Sequence, residues 1–310
     1  QILVMLSLKY FVYFGWFLLQ SAQGKSVRNI KIFPFMAFLE LKNDYLNFDF
    51  KKTCGATILN PRFVLTAAHC VRKCRPSACL AIPPEDIQVY TGTLLGRKGV
   101  VRGVERVLIH PQFRRLDFEN GCFNNYDLAI LVLDTSLHFN ENISSVALPK
   151  SVRLGEESFY SDTSEYVREH KQCTVVGWGY PHHPKLKVEK TNLIEPQTCR
   201  QAVELRIHNV QHSSVCPETQ LCSLMANNSC HRGNIMCEGT QVGVESFSAR
   251  GKCNGPNVYT RTDINVGWME EVMKSYRANV FTRSGTCTYS GPVLWNTFVV
   301  VTTYFIFNLF

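Results

Sequence analysis

Short runs of β-forming residues, separated by turn residues, follow one another from about residue 30 to residue 260. They read "RFVLTAA", "DIQVYTG", "VERVLIH", "DLAILVL", "CTVVGWG", "QVGVESF" and "NVYTRT". Many short strands at such spacing are typical of an all-β sandwich or barrel. One helix is predicted, "DINVGWMEEVMKSY", with Asp263 as its cap and Trp268, Val272 and Tyr276 along one face. Since no linker-like stretch interrupts this pattern, we predict one globular unit over residues 25–279.

Each end of the sequence carries a hydrophobic run without charged residues. The first run, Tyr10 to Leu19, follows Lys9 and precedes small residues, which predicts a signal peptide over residues 1–24. The second, Val293 to Phe310, lies in a predicted C-terminal tail, residues 280–310, that resembles a GPI-attachment signal. A transmembrane segment and an ordinary terminal strand are the alternatives for this tail. We therefore expect a secreted, extracellular protein, with the tail as a candidate membrane attachment.

The chain contains 13 cysteines, which in a secreted protein favour disulfides over metal ligands. Because the number is odd, at least one cysteine has no partner within the chain. Two sequons, which begin at Asn142 and Asn227, predict N-glycosylation in the same compartment.

The net charge of +8 is modest for 310 residues and is not gathered into one basic block. The densest positive stretch, residues 182–190, is interpreted first as a solvated loop and second as a site for an anionic partner. We therefore expect no nucleic-acid partner. We also expect no cofactor and no metal.

Three stretches carry residues with chemical potential. "CGATILNPRFVLTAAHC" places His69 beside Cys70, and "NNYDLAILVLD" places Asp127 at the start of an apolar strand. A buried aspartate needs a partner to stay charged, and His69 is a candidate. The third stretch, "CTVVGWGY", is followed by further cysteines and "GPNVYTRT". Packing beside a disulfide, or a metal site with His182 and His183, would also account for His69.

In their order and spacing these stretches resemble the trypsin/chymotrypsin-like serine protease family, peptidase S1, from about Ile32 to Tyr276. The resemblance implies an all-β fold of two orthogonally packed six-stranded β-barrels with a C-terminal helix. It places the active site in the cleft between the barrels. His69 then takes the position of the general base, and Asp127 that of the carboxylate that orients it.

The resemblance also implies a set of disulfides: Cys54–Cys70, Cys173–Cys237, Cys199–Cys222 and Cys230–Cys253. Cys74 and Cys79 are predicted to close a loop of their own. Cys122, Cys216 and Cys287 are left without assigned partners.

The segment that should supply the nucleophile is altered. In active family members it reads cysteine, any residue, Gly-Asp-Ser-Gly-Gly-Pro, two apolar residues and cysteine, with nine residues between the cysteines. This chain has six, His231 to Met236, and none is Ser, Thr or Cys. Matching Gly233 and Asn234 to the Gly-Asp pair puts Ile235 in the nucleophile position. The oxyanion hole is formed by backbone N–H groups of the same turn, so it is affected as well.

Activation and specificity are affected too. Active members insert a new N-terminal Ile-Val-Gly-Gly, but the corresponding stretch here is "SAQG", and Asn234 replaces the aspartate that pairs with the new amine. Asn228 is predicted at the base of the specificity pocket, and Ser246, Phe247 and Ser248 along its wall. The loops 71–85 and 114–125 flank the cleft in this family and are longer than usual.

We therefore expect a catalytically inactive homologue that works by binding a protein partner, such as a protease, a protease substrate or a receptor. Ser229 precedes Cys230 and Ser246 lies on a later strand, and the family pattern places neither to meet His69. The alternative is an active trypsin-like endopeptidase whose residues 225–240 are altered by a gene-model or splicing error. The retention of both His69 and Asp127 favours that alternative.

Overall fold

The computed structural model describes residues 25–42, 53–75, 78–117, 121–151, 162–179, 185–204, 215–225, 233–248 and 255–284. Strands dominate this part of the chain. They are β1 (Lys25–Ser26), β2 (Met36–Leu41), β3 (Thr53–Asn60), β4 (Phe63–Thr66), β5 (Arg72–Arg75), β6 (Ala78–Ala81), β7 (Ile87–Thr91), β8 (Val100–Ile109), β9 (Arg114–Asp117), β10 (Cys122–Asn125), β11 (Ala129–Leu133), β12 (Gln172–Gly177), β13 (Lys187–Ile194), β14 (Gln220–Met225), β15 (Asn234–Cys237), β16 (Thr240–Ser248) and β17 (Asn257–Arg261). The helices are α1 (Asp162–Arg168), α2 (Pro196–Glu204) and α3 (Val266–Ser284). Short 3-10 turns cover Ile30–Ile32, Ala68–Cys70, Pro84–Asp86 and Asp263–Asn265.

Six antiparallel strands close into a first barrel in the order β11-β4-β3-β2-β7-β8. Strand β11 lies between β4 and β8 and is buried along its whole length, which explains why "AILVL" contains no polar residue. Continuous apolar runs are expected where both faces of a strand are covered.

The second barrel has the order β13-β12-β15-β16-β17-β14 and is closed by the pairing of β14 with β13, while β1 adds to the outer edge of β13. Its interior is filled around the fully buried Tyr259. A separate apolar cluster joins residues of both barrels, and in it the rings of Phe38 and Trp178 lie 5.4 Å apart, edge to face. The predicted all-β, two-barrel fold is confirmed, and the cleft lies where the barrels meet.

Several elements were not predicted from the sequence. The long loops 71–85 and 114–125 contain the β-hairpins β5–β6 and β9–β10, and helices α1 and α2 had no clear periodic signal. The predicted cap, Asp263, lies in a 3-10 turn before α3 rather than at its first residue. Its carboxylate instead accepts hydrogen bonds from the guanidinium of Arg261, because both groups are buried and each requires a partner.

Four disulfides are present among the described residues: Cys54–Cys70, Cys122–Cys216, Cys173–Cys237 and Cys199–Cys222. Three of them are pairs that the family resemblance implies. The fourth joins two cysteines that the resemblance left without partners. Cys74 and Cys79 are opposite each other in the β5–β6 ladder, so their pairing stays a prediction with a compatible backbone register.

Both barrels belong to one compact unit that extends to Glu271, and residues from Val272 onward form a second unit. Within the described ranges, no helix combines the length and the apolar composition that crossing a membrane requires. Several predictions fall outside the described residues: the signal peptide 1–24, the tail beyond Ser284, Asn227, Asn228, Ser229, His182, His183, Cys287 and the pair Cys230–Cys253.

Candidate active site

The pairing of β4 with β11 brings His69 and Asp127 together. Thr66 is opposite Ala129 in this antiparallel ladder, so the residues that follow Thr66 run alongside those that precede Ala129. The 3-10 turn Ala68–Cys70 then aims the imidazole of His69 back at Asp127. Two strands that lie far apart in sequence therefore bring the pair together.

Asp127 is the buried centre of this arrangement. Its side chain is completely buried, its Oδ1 accepts the backbone N–H of His69 at 2.8 Å, and its Oδ2 lies 2.7 Å from His69 Nδ1. Because a carboxylate can only accept, Nδ1 carries the proton of the neutral imidazole, and Nε2 is left as the basic nitrogen. The side chain of His69 is 35% exposed, and its Nε2 lies 3.6 Å from Sγ of Cys70.

Ser246 is the third member of the cluster. Its hydroxyl donates to Asp127 Oδ2 at 2.6 Å, and the residue is buried. The sequence placed Ser246 only on the wall of the specificity pocket. The burial of Asp127 was the available signal for this contact, because an enclosed carboxylate requires more than one donor. Since its hydroxyl is engaged on the carboxylate, Ser246 does not present a nucleophile.

The structure assigns Ile235 a different place from the one predicted. Rather than occupying the nucleophile position in the cleft, it is fully buried in the core of the second barrel, opposite Val175 and beside Tyr259. The physical reason is its apolar side chain, which is stabilised by burial between two strands. Counted back from Cys237, Ile235 and Met236 therefore match the two apolar residues that precede the cysteine in the family pattern.

Gly233 and Asn234 are held against β12 as well, and in the same count from Cys237 they match the second glycine of the Gly-Gly pair and the proline, not the predicted Gly-Asp pair. A Cβ atom on Gly233 would lie only 2.1 Å from the carbonyl oxygen of Val176, so no other residue fits without displacement of the backbone. Asn234 is opposite Val176 and buried, and its Oδ1 accepts the N–H of Glu245 at 3.3 Å. The whole stretch 233–237 is thus fixed in register, and only His231 and Arg232 remain between it and Cys230.

The predicted pocket wall is crossed by a hydrogen bond. Ser248 on β16 is opposite Asn257 on β17, and the Ser248 hydroxyl donates to Asn257 Oδ1 at 2.7 Å. Behind this pair, the hydroxyls of Tyr259 and Ser223 lie 3.0 Å apart, and burial raises the pKa of Tyr259. Phe247 contacts the ring of Phe123. The Ser248 hydroxyl on the predicted pocket wall is therefore engaged by the neighbouring strand.

A metal at His69 does not fit its neighbours. Among the described residues, the group with metal-ligand spacing is Cys54, His69 and Cys70. The two sulfurs are bonded to each other as a disulfide. Metals bind cysteine as thiolate, so this group does not supply a ligand set.

His110 supports the strand that carries Asp127. Its backbone N–H donates to the carbonyl of Leu128, and its ring lies between Tyr126, stacked at 4.8 Å, and Trp268, edge-on at 4.5 Å. Nδ1 accepts the backbone N–H of Gln112 at 3.2 Å. Burial among these groups lowers the pKa of His110 from its ordinary value to about 4.

We expect the buried His110 to make the fold acid-sensitive. Its pKa of about 4 in the folded state lies below the ordinary 6.5, so on acidification the unfolded chain binds the proton first. Stability is therefore complete above pH ~6.5 and declines by about 2 to 3 kcal/mol as the pH falls to ~4. Urea unfolding at pH 7 and pH 4.5 measures this decline. His110→Phe should flatten it and the exposed His138→Phe should not; equal slopes in the two variants would contradict the prediction.

Comparisons with known proteins all point to one protein family. The family model described as "Trypsin" matches residues 22–269. The chain is 26% identical over 251 residues to mast cell protease 3 of Ovis aries, which covers 79% of this chain and 86% of that protein. It is 28% identical over 235 residues to serine protease SP24D of Anopheles gambiae, with 72% and 73% covered.

Solved structures share the fold. HL collagenase superimposes with a TM-score of 0.60 at 20% identity, covering 81% of this chain and 97% of that one. An inactivated protease paralogue of the scabies mite, SMIPP-S-D1, gives 0.59 at 17% identity, with 81% and 96% covered.

Proposed function

This chain belongs to the trypsin family, and we propose that it acts by binding a protein partner without hydrolysing peptide bonds. Hydrolysis in this family requires a serine hydroxyl that gives its proton to the histidine and attacks the scissile carbonyl. His69, Asp127 and Ser246 retain the base side of that chemistry. The segment between Cys230 and Cys237 does not supply the nucleophile side.

One observation carries the proposal: no residue between Cys230 and Cys237 has a hydroxyl or a thiol. The register of β15 adds to its weight, because Cys237 is bonded to Cys173 and residues 234–237 pair with β12. The strand therefore cannot slide to lengthen the segment before it. In active members, five residues lie between the first cysteine and the second glycine of the Gly-Gly pair. Gly233 takes the position of that glycine here, and only His231 and Arg232 lie between it and Cys230.

Two further features support binding rather than turnover. On the predicted wall of the specificity pocket, the hydroxyl of Ser248 is engaged in a hydrogen bond to Asn257. In addition, Asn234, counted back from Cys237, takes the position of the proline that follows the Gly-Gly pair and is buried as a strand residue. The six residues between Cys230 and Cys237 include no aspartate that could pair with a new N-terminal amine.

In this proposal the retained cluster has a mechanical role. Asp127 comes from the first barrel and Ser246 from the second, so the 2.6 Å hydrogen bond between them ties the barrels together at the floor of the cleft. Such a buried, charge-assisted bond is strong and directional. The cluster therefore fixes a concave surface on which a partner can dock, and the imidazole of His69 contributes a polar contact rather than proton transfer.

We also propose that the protein is extracellular and is anchored at the cell surface through its tail. The disulfides support an oxidising compartment. Surface staining of cells that express the full chain, before and after phosphatidylinositol-specific phospholipase C, tests the anchor; staining that resists the enzyme argues against a GPI link.

The absence of turnover is tested with a fluorophosphonate probe, which labels activated serines. We expect labelling no greater than that of a His69→Ala variant, and no hydrolysis of peptide or ester substrates beyond that variant. Labelling that requires His69 and disappears in Ser229→Ala would sink the proposal, because it would reveal a relocated nucleophile. Ser246→Ala is the matched control for loss of the buried hydrogen bond.

The second candidate function is that of an active endopeptidase. The intact geometry of His69, Asp127 and Ser246 is the observation in its favour. Sequencing the transcript across residues 225–240 decides between the two. Recovery of a Gly-Asp-Ser-Gly-Gly motif there would favour the endopeptidase. A transcript that encodes His231 to Met236 without extra residues would exclude a sequence error and with it this candidate function.

A further inference from the structure

A disulfide outside the family pattern joins the two barrels beside the cleft. Cys122 lies on β10, in the hairpin that the first barrel inserts between β8 and β11. Its partner, Cys216, is 94 residues further along the chain and immediately precedes β14 of the second barrel. The bond therefore joins the two barrels. No backbone pairing connects them here, because β10 and β14 belong to separate sheets.

Hydrogen bonds reinforce this disulfide on the side of the second barrel. The side chain of Gln220, which is 1% exposed, donates from Nε2 to the carbonyls of Phe123 at 2.8 Å and Asn124 at 3.2 Å. Its Oε1 accepts the N–H of Cys216 at 3.0 Å. One buried amide thus binds both the hairpin and the cysteine that anchors it.

A second side-chain contact lies next to the first. The hydroxyl of Thr219 donates to Oδ1 of Asn125 at 2.6 Å, and both residues are buried. Asn125 is two residues before Asp127, so the contact reaches the segment that carries the carboxylate. The ring of Phe123 also meets that of Phe247 at 5.1 Å, one residue after Ser246.

We propose that Cys122–Cys216, Gln220 and Thr219 form a latch that holds the hairpin of the first barrel against the second barrel and so fixes the width of the cleft. The latch is completed by a covalent bond formed on folding, so this side of the cleft is ordered without proteolytic processing of the chain. The proposal rests on the proposed function only in taking the cleft to be the binding surface.

The latch differs from a disulfide that merely stabilises the whole fold. Its contacts connect three short segments, residues 121–127, 215–223 and 245–248, around the Asp127–Ser246 bond. Opening it should therefore raise the local opening rate of these segments while the interior of the first barrel stays closed. A bond that acts only through overall stability would change the exchange of every protected amide together.

Hydrogen exchange measured by mass spectrometry on the full chain tests the latch. In a Cys122→Ala/Cys216→Ala variant, we expect amides of the three segments to exchange about tenfold faster or more, with strands β2 to β4 unchanged. The matched control is Cys74→Ala/Cys79→Ala, which removes the predicted pair of the other hairpin and should leave the three segments unaffected. Equal acceleration in all strands, or none in the three segments, would overturn the proposal.

A second variant keeps the test decisive if the cysteine variant does not fold. Gln220→Ala retains the disulfide but removes both hydrogen bonds to the hairpin, so the same three segments should exchange faster by about two- to fivefold. No acceleration in Gln220→Ala, or one spread over the first barrel, counts against the latch. The readout is independent of hydrolysis: fluorophosphonate labelling would overturn the proposed function and leave this result standing.

Discussion

Replacement of Arg261 by methionine is expected to lower the free energy of unfolding by about 3 to 5 kcal/mol. Arg261 and Asp263 are 7% and 1% exposed, and the guanidinium donates to both carboxylate oxygens, from Nε at 3.0 Å and from Nη2 at 2.7 Å. Without the guanidinium, Asp263 keeps the N–H of Ile264 as a donor but has lost its counter-charge. A buried carboxylate left in this state destabilises the fold far more than the intact pair stabilises it.

Urea unfolding followed by circular dichroism measures the loss. The double variant Arg261→Met/Asp263→Leu should recover most of it, because the uncompensated charge is gone. Lys31→Met is the matched control at an exposed ion pair, Lys31–Glu141, whose side chains are 48% and 65% exposed. It should cost less than about 1 kcal/mol. If Arg261→Met costs no more than Lys31→Met, the buried pair does not have the assigned role.

Gly233→Ala is expected to destabilise the fold by at least about 3 kcal/mol, which is large for one methyl group. The new Cβ would lie 2.1 Å from the carbonyl oxygen of Val176 and 2.7 Å from the Cα of Gly177. Both are backbone atoms of β12, so no side chain can rotate away to relieve the contact. Either β15 separates from β12 or both strands shift, and each outcome loses ladder hydrogen bonds next to the Cys173–Cys237 disulfide.

The matched control for this change is Gly55→Ala on β3. No atom lies within 4 Å of the Cβ that it would add, so its effect should stay within about 0.5 kcal/mol. Thermal or urea unfolding of both variants gives the comparison. A Gly233→Ala protein as stable as Gly55→Ala would mean that the stretch 233–237 is not fixed against β12.

The barrels were predictable from the sequence because most of their strands have a recognisable local pattern. "DLAILVL" and "CTVVGWG" are short, β-branched and bounded by turn residues, and they form β11 and β12. The hairpins β5–β6 and β9–β10 were not predicted, since charged and asparagine-rich strands such as "RRLD" and "CFNN" lack that signal. Their pairing depends on tertiary contacts, including the disulfide at Cys122, which no local pattern reveals.

The candidate site also has parts that the sequence predicted and parts that it did not. His69 and Asp127 were identified because each sits in a distinctive motif, and a single ladder then brings them together. The contact of Ser246 with Asp127 joins the two barrels, so it depends on packing that sequence spacing does not encode. Ile235 was misplaced because matching began from the glycine, whereas burial in the barrel fixes the register from Cys237 backward.

The fixed register of β15 determines how the shortened segment between Cys230 and Cys237 could regain its length. A point mutation that converts His231 or Arg232 to serine would restore a hydroxyl, yet the stretch between Cys230 and Cys237 would still have six residues instead of nine. Since residues 233–237 cannot supply the difference, only an insertion can rebuild the turn. Substitution alone can therefore restore the hydroxyl but not the length of the segment, so under the proposed function a return to hydrolysis would require an insertion as well.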